Sequence, residues 1–203
     1  THCDAVQGFL KVPFQVRSLQ ADLLSISGHK VHGVKGVGAL YQKNGIHLHP
    51  TFHGGSQERG LRPGTENVPA IAAFGAAVQT YGSTVRERYQ AVTEKKAYLL
   101  ERLQELPNCK IHSVEDASPY IISFSLRPYR SEILLHFLEK REIFVSSGSA
   151  CSKGKNSGVP VLFGATDAEA DSILRVSLSA ETPNTALDAL ASSLQEATKT
   201  LLY

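Results

Sequence analysis

Ser25-Ile26-Ser27-Gly28-His29-Lys30-Val31-His32-Gly33 ends a short apolar run, Leu23 to Ile26, and passes at once into glycine, histidine and lysine. The run reads as a strand and the glycines as its end. A second strand, Gly38 to Tyr41, is expected across the glycine-rich Gly33-Val34-Lys35-Gly36-Val37-Gly38. Strand ends are where α/β folds collect ligands, so Lys30 has two readings. It is a solvated loop residue, the common fate of lysine, or an amine made nucleophilic by desolvation or nearby charge and able to form a Schiff base. The position by itself favours the first.

Moving toward the N-terminus changes the balance. Asp4-Ala5-Val6-Gln7 follows a strand start at Thr1 to Cys3. A carboxylate suits a protonated pyridine nitrogen, an amide suits a phenolic oxygen, and hydroxyl and imidazole groups suit a phosphate. Asp4, Gln7, Ser27, His29 and Lys30 together therefore form a set suited to pyridoxal phosphate, with Lys30 as its covalent partner.

Moving toward the C-terminus, the pattern alternates between strands and helices. From Asn67, with Pro69 in the first turn, Ile71, Phe74, Gly75 and Val78 are expected on one helical face. A second helical stretch after Gly82 carries Val92, Leu99, Leu103 and Leu106 up to Pro107. Tyr120, Ile122, Phe124 and Leu126 alternate as a strand. Ile133, Leu134, Phe137 and Leu138 follow as a helical stripe behind Ser131, the candidate N-cap. Ile143 to Val145 reads as a strand, Thr166-Asp167-Ala168-Glu169 as a capping box, and Ile173 to Leu178 as a further strand. Thr182-Pro183 opens a last helix with Leu187, Leu190, Leu194 and Leu201 on one face. The sum is an α/β chain, divided at the end of the helical connector into 1–106 and 107–203.

The 203 residues are 42% apolar and 20% charged, a globular balance that excludes disorder and collagen. A net charge of +2 without blocks of like charge lacks the footprint of a nucleic-acid binder. The richest apolar stretch, Ile71 to Val78, is far short of the roughly 20 residues of a membrane span. Cys3, Cys109 and Cys151 make an odd count without C-x-x-C, which fits a reducing cytoplasm better than a disulfide framework or zinc ribbon. No basic-then-apolar region opens the chain, and methionine is absent throughout. We expect a piece of a longer, soluble, cytoplasmic protein.

Three separated motifs carry a resemblance. They are Ser27-Gly28-His29-Lys30 with Gly33-x-Lys35-Gly36-x-Gly38-Ala39-Leu40-Tyr41, then Gly54-Gly55-x-Gln57-Glu58-Arg59-Gly60-x-Arg62-x-Gly64-Thr65, and Ser146-Ser147-Gly148-Ser149-Ala150-Cys151-Ser152. In this order they resemble the cysteine desulfurases, PLP-dependent enzymes of the class V aminotransferase group, over the second half of that family. The resemblance implies the C-terminal part of an aspartate-aminotransferase-like large domain followed by a small α/β domain. It implies Lys30 as the Schiff-base lysine, Asp4 at the pyridine nitrogen, Gln7 at the phenolic oxygen, and Ser27 and His29 at the phosphate. Thr65 would reach the phosphate of a second subunit in a homodimer, with Gly64 allowing close approach.

The same resemblance makes Cys151 the nucleophile that takes sulfur from L-cysteine as a persulfide, leaving L-alanine, and passes it to an acceptor protein such as an iron–sulfur scaffold. The residues agree: Gly148 and Gly154 flank Cys151, and Lys153 and Lys155 favour its thiolate. Cys3 and Cys109 lie in apolar or strand-edge settings and read as structural thiols. Arg175, a charge within the apolar Ile173 to Leu178, is implied to bind the substrate carboxylate, for which a planar guanidinium is suited. Ser179-Ala180-Glu181 departs from the family pattern just beyond it.

Competing readings are a selenocysteine lyase or other PLP β-lyase, and an inactive fragment or assembly subunit that lacks half of the site. A further alternative is zinc held by His47, His49 and His53, since i and i+2 on a strand share a face. No fourth ligand is evident, and no metal is expected. His112 and His136 read as structural.

Overall fold

The computed structural model describes residues 1–114, 116–147, 161–162 and 164–201. The chain forms two compact units, Thr1–Tyr89 and Gln90–Tyr203. In the first unit, β1 (His2–Asp4), β2 (Leu23–Ser27) and β3 (Gly38–Gln42) make a sheet in that order. β1 and β2 run parallel, with Asp4 in register with Ser25, whereas β2 and β3 are antiparallel. A parallel pair needs a crossover. Residues 5–22 supply one in turns, in which the Gly8 and Phe9 amides bond back to the Ala5 carbonyl at 3.0 and 2.8 Å.

Helix α1 (Val68–Gly82) starts at Asn67, whose side chain accepts from the Ala70 amide at 3.3 Å, with proline in the first turn. Its buried face is Ala70, Phe74 and Ala77. The expected face of Ile71, Phe74, Gly75 and Val78 is therefore corrected: Phe74 belongs to it, but Ile71 and Gly75 are exposed. The small alanines pack where the backbone must come close, because α1 lies on the turn that carries Lys30. Phe9 meets Phe74 edge to face, with ring centroids 6.2 Å apart, and so joins the crossover to the helix.

Helix α2 (Val85–Gln104) begins in the first unit and continues into the second. Its Val92, Leu99 and Leu103 are fully buried, as their spacing predicts. The sequence assigns this whole connector to the first part, whereas the compact units divide within it, between Tyr89 and Gln90.

In the second unit, β4 (Cys109–Ile111), β5 (Ile121–Leu126) and β6 (Ile173–Ser177) form an antiparallel sheet with β5 in the centre. Ile122, Phe124 and Leu126 of β5 join Leu174 of β6 in a core without exposure. Helix α3 (Ser131–Glu139) packs against α5 (Asn184–Thr200), burying Leu134 and Leu138 on one and Leu187, Leu190, Leu194 and Ala197 on the other. Ser131 is inside α3, not its cap. Arg130 holds the cap position, and the Ser131 amide bonds to the Asp171 carbonyl at 2.8 Å.

Short helix α4 (Asp167–Ala170) opens with the expected reciprocal pair. The Thr166 amide donates to the Glu169 carboxylate at 2.8 Å, and the Glu169 amide to the Thr166 hydroxyl at 3.3 Å. Ile143 to Val145 forms no strand. The Ile143 amide closes onto the Leu138 carbonyl at 3.1 Å, Phe144 is 77% exposed, and sheet pairing is confined to a bridge at Ser146. Among the described residues, no helix is long and apolar enough to cross a membrane.

Candidate active site

β1 ends at Asp4 and β2 at Ser27, so these parallel neighbours place both C-terminal ends at one edge of the sheet. Beyond Ser27 the chain tightens into a 3₁₀ turn, Gly28–Val31, that carries His29 and Lys30. Gly28 is required by close packing. A Cβ there would sit 2.9 Å from the Val37 side chain and 3.3 Å from the Phe74 ring. The turn ends at His32, left-handed at φ 65°, whose ring lies 4.9 Å from that of Tyr81.

Ser27 Oγ and His29 Nδ1 lie 2.8 Å apart. If the hydroxyl donates, the neutral imidazole carries its proton on Nε2; if the imidazole donates, the hydroxyl proton is uncommitted. Either tautomer leaves the pair one donor for an anion. Asp4 is exposed, and its Oδ1 accepts from the Val6 amide at 2.9 Å. Gln7 opens the crossover just past Asp4, and its Oε1 accepts from Lys11 Nζ at 3.4 Å. Burial, aided by the charge of Lys30, holds the Lys11 ammonium below the ordinary lysine value.

Thr65 is exposed after Gly64, which adopts φ +104° and donates its amide to Gln57 Oε1 at 3.1 Å. No described contact brings Thr65 to the Lys30 group. In the second unit, Arg175 is at the centre of β6, and its Nε is buried without a hydrogen-bond partner among the described residues. Such an atom is costly to leave unpaired and marks a place for an acceptor. Its backbone pairs with Ser146, five residues before Cys151 in sequence. Cys151 itself lies outside the described residues.

His47-Leu48-His49 is not in a strand, so the shared face required by the zinc alternative is missing. Among the described residues, no cluster of three or more His, Cys, Asp and Glu side chains is placed to hold a metal. His112 Nε2 meets the buried Ser125 Oγ at 2.8 Å, and burial pushes its pKa down, as befits a structural imidazole. Cys3 is half-buried on β1 and Cys109 on β4, and burial pushes the Cys109 thiol up to about 11.

The model of the aminotransferase class-V family matches residues 1–190. The chain belongs to this family. A cysteine desulfurase IscS of Clostridium botulinum is 36% identical over 193 residues, covering 92% of this chain and 49% of that protein. A solved NifS-like protein from Rickettsia africae superposes with a TM-score of 0.87 at 32% identity, covering 98% of this chain and 53% of that one. A solved SspA in complex with cysteine gives a TM-score of 0.69 at 32% identity, covering 87% and 49%. The chain spans about half the length of the relatives it matches. As expected, the fold is the α/β class of these class-V relatives.

In this class-V chain Lys11 is not singled out by the sequence, and Ser146 has no role there beyond opening a motif. Lys11 follows Gln7 by one helical turn, a spacing that predicts a side-chain pair only where the backbone is helical or turned. Ser146 meets Arg175 through its backbone, which leaves no signature in side-chain type.

Proposed function

We propose that this chain is part of a PLP-dependent cysteine desulfurase, acting on L-cysteine to give L-alanine and a persulfide on Cys151. The observation that supports the reading is that Asp4 ends one strand and Ser27 the parallel strand beside it, that Ser27 pairs with His29, and that Lys30 lies in the turn that follows, with Gln7 three residues after Asp4. This donor set fits pyridoxal phosphate: a carboxylate for a pyridinium, an amide for a phenolate, a hydroxyl–imidazole pair for a phosphate, and an amine. When bound, pyridoxal phosphate supplies an electron-withdrawing ring that makes the substrate α-C–H bond acidic.

The chain's own residues do the rest. Lys30 Nζ would hold the cofactor covalently, and once free would take the α-proton of the substrate and return it to Cα before alanine leaves. Asp4 keeps the pyridine nitrogen protonated, while Ser27 and His29 hold the phosphate. Thr65 completes the phosphate site of a second subunit in a homodimer. Arg175 takes the substrate carboxylate, for which its Nε, without a partner among the described residues, is suited. The Cys151 thiolate attacks the substrate sulfur, the carbon–sulfur bond breaks with its electron pair left on Cβ, and protonation there yields alanine. The persulfide sulfur then passes to an acceptor protein such as an iron–sulfur scaffold, in the cytoplasm.

Visible absorbance with added pyridoxal phosphate, wild type beside Lys30→Ala, tests the cofactor site. Sulfide release from cysteine in the presence of a reductant, wild type beside Cys151→Ala, tests the sulfur step. A band that needs Lys30 and sulfide that needs Cys151 are expected. A band indifferent to Lys30 would overturn the cofactor assignment.

A further inference from the structure

We infer that Lys11 is a positioning residue that fixes the side-chain amide of Gln7 with its oxygen turned inward to the ammonium and its NH₂ group left as a donor to an anionic oxygen of the cofactor. The inference rests on the proposed pyridoxal phosphate site and concerns a residue outside it. A glutamine amide is ambiguous in itself, because its two ends have the same shape and opposite hydrogen-bonding sense. Lys11 removes the ambiguity, since an ammonium has three donors and no acceptor. The observed contact, Nζ to Oε1 at 3.4 Å, is the sense that chemistry allows.

The backbone prepares this pairing. The amides of Gly8 and Phe9 return to the Ala5 carbonyl, and those of Lys11 and Val12 to the Gly8 carbonyl at 3.0 and 2.8 Å. The crossover thus winds through two successive turns that bring positions 7 and 11 to one side. Lys11 is half-buried, so its stem is held by packing while its head reaches Gln7. Gln7 is exposed at the sheet edge that carries Asp4 and Lys30, where a free amide would rotate. With the oxygen occupied, Gln7 presents N–H donors, which complement a phenolate; the flipped amide would set oxygen against oxygen.

The test compares Lys11→Met, Lys11→Arg, Gln7→Ala and the Gln7→Ala/Lys11→Met double variant. Nitrogen–proton NMR of the cofactor-free chain reads the Gln7 amide directly, and a titration with pyridoxal phosphate reads the dissociation constant and the visible absorption maximum. The expected result is an ordered Gln7 amide signal in wild type and Lys11→Arg and an averaged one in Lys11→Met. The dissociation constant rises about tenfold in Lys11→Met, with the absorption maximum displaced as in Gln7→Ala. It stays within about twofold in Lys11→Arg, which keeps a donor-only head group. In the Gln7→Ala background, Lys11→Met has no additional effect. A Lys11→Met effect that persists without Gln7, or a Gln7 signal and dissociation constant indifferent to Lys11→Met, overturns the inference and leaves the cofactor site standing. A wild-type chain with an ordered amide that never binds pyridoxal phosphate overturns the cofactor reading and this inference with it.

Discussion

Arg175 and Ser146 exchange two backbone hydrogen bonds, the Arg175 amide to the Ser146 carbonyl at 2.6 Å and the Ser146 amide to the Arg175 carbonyl at 3.1 Å. Arg175, whose guanidinium Nε has no partner among the described residues, is thereby held to Ser146, five residues before Cys151 in sequence. In the proposed desulfurase, Arg175 is the residue that takes the substrate carboxylate.

Ser146→Pro deletes the amide that reaches Arg175. Loss of one such bond and the added ring constraint are expected to lower kcat/KM for cysteine about tenfold. Steady-state sulfide production checks this, with circular dichroism confirming the fold. An unchanged kcat/KM would separate the bridge from catalysis.

Gly28→Ala places a methyl 2.9 Å from the Val37 side chain and 3.3 Å from the Phe74 ring, so either these side chains or the Lys30 turn must shift. Overpacking of this kind costs about 1–3 kcal/mol. Urea denaturation should show the loss, together with weaker pyridoxal phosphate binding.

The Glu169 carboxyl is held at about 2, from an ordinary 4.5, first by its hydrogen bond from Lys110 Nζ at 2.8 Å and then by the Thr166 amide. A carboxyl depressed in the folded state stabilises fully above its unfolded value, and that stability is lost as pH falls from about 4.5 toward about 2. Melting temperatures measured between these limits should fall less steeply with acid in Glu169→Gln, which keeps the capping acceptor and removes the charge.

Cys109 is expected to resist alkylation. With burial holding its thiol at about 11 in place of 9.0, it carries about a hundredth of the ordinary thiolate population at pH 8. Mass spectrometry after iodoacetamide treatment should find it unmodified in the folded chain and modified in denaturant.

The parts of this fold that were readable from sequence are those governed by near neighbours. The stripe Val92, Leu99 and Leu103 on α2 and the Thr166–Glu169 capping box depend on spacings of three to seven residues, and both formed as read. The strand end at Ser27 and the lysine behind it were equally legible, because glycine and polar residues interrupt an apolar run at that point.

The departures share a different cause. Ile71 and Ala70 are both acceptable on a packed helix face, and the close approach of the Lys30 turn selected the smaller. Ile143 to Val145 has the composition of a strand, but a strand exists only where a partner offers its backbone, and β6 offers one at Ser146.

By itself, then, the sequence determined helix periodicity, the helix start at Thr166, and the supply of carboxylate, amide, imidazole and amine around the ends of β1 and β2. Tertiary structure decided that β1 and β2 run parallel with Asp4 beside Ser25, that Lys11 meets Gln7, and that Arg175 pairs with Ser146. Such pairings depend on chain crossing and backbone hydrogen bonding between distant segments, which residue type and spacing do not encode.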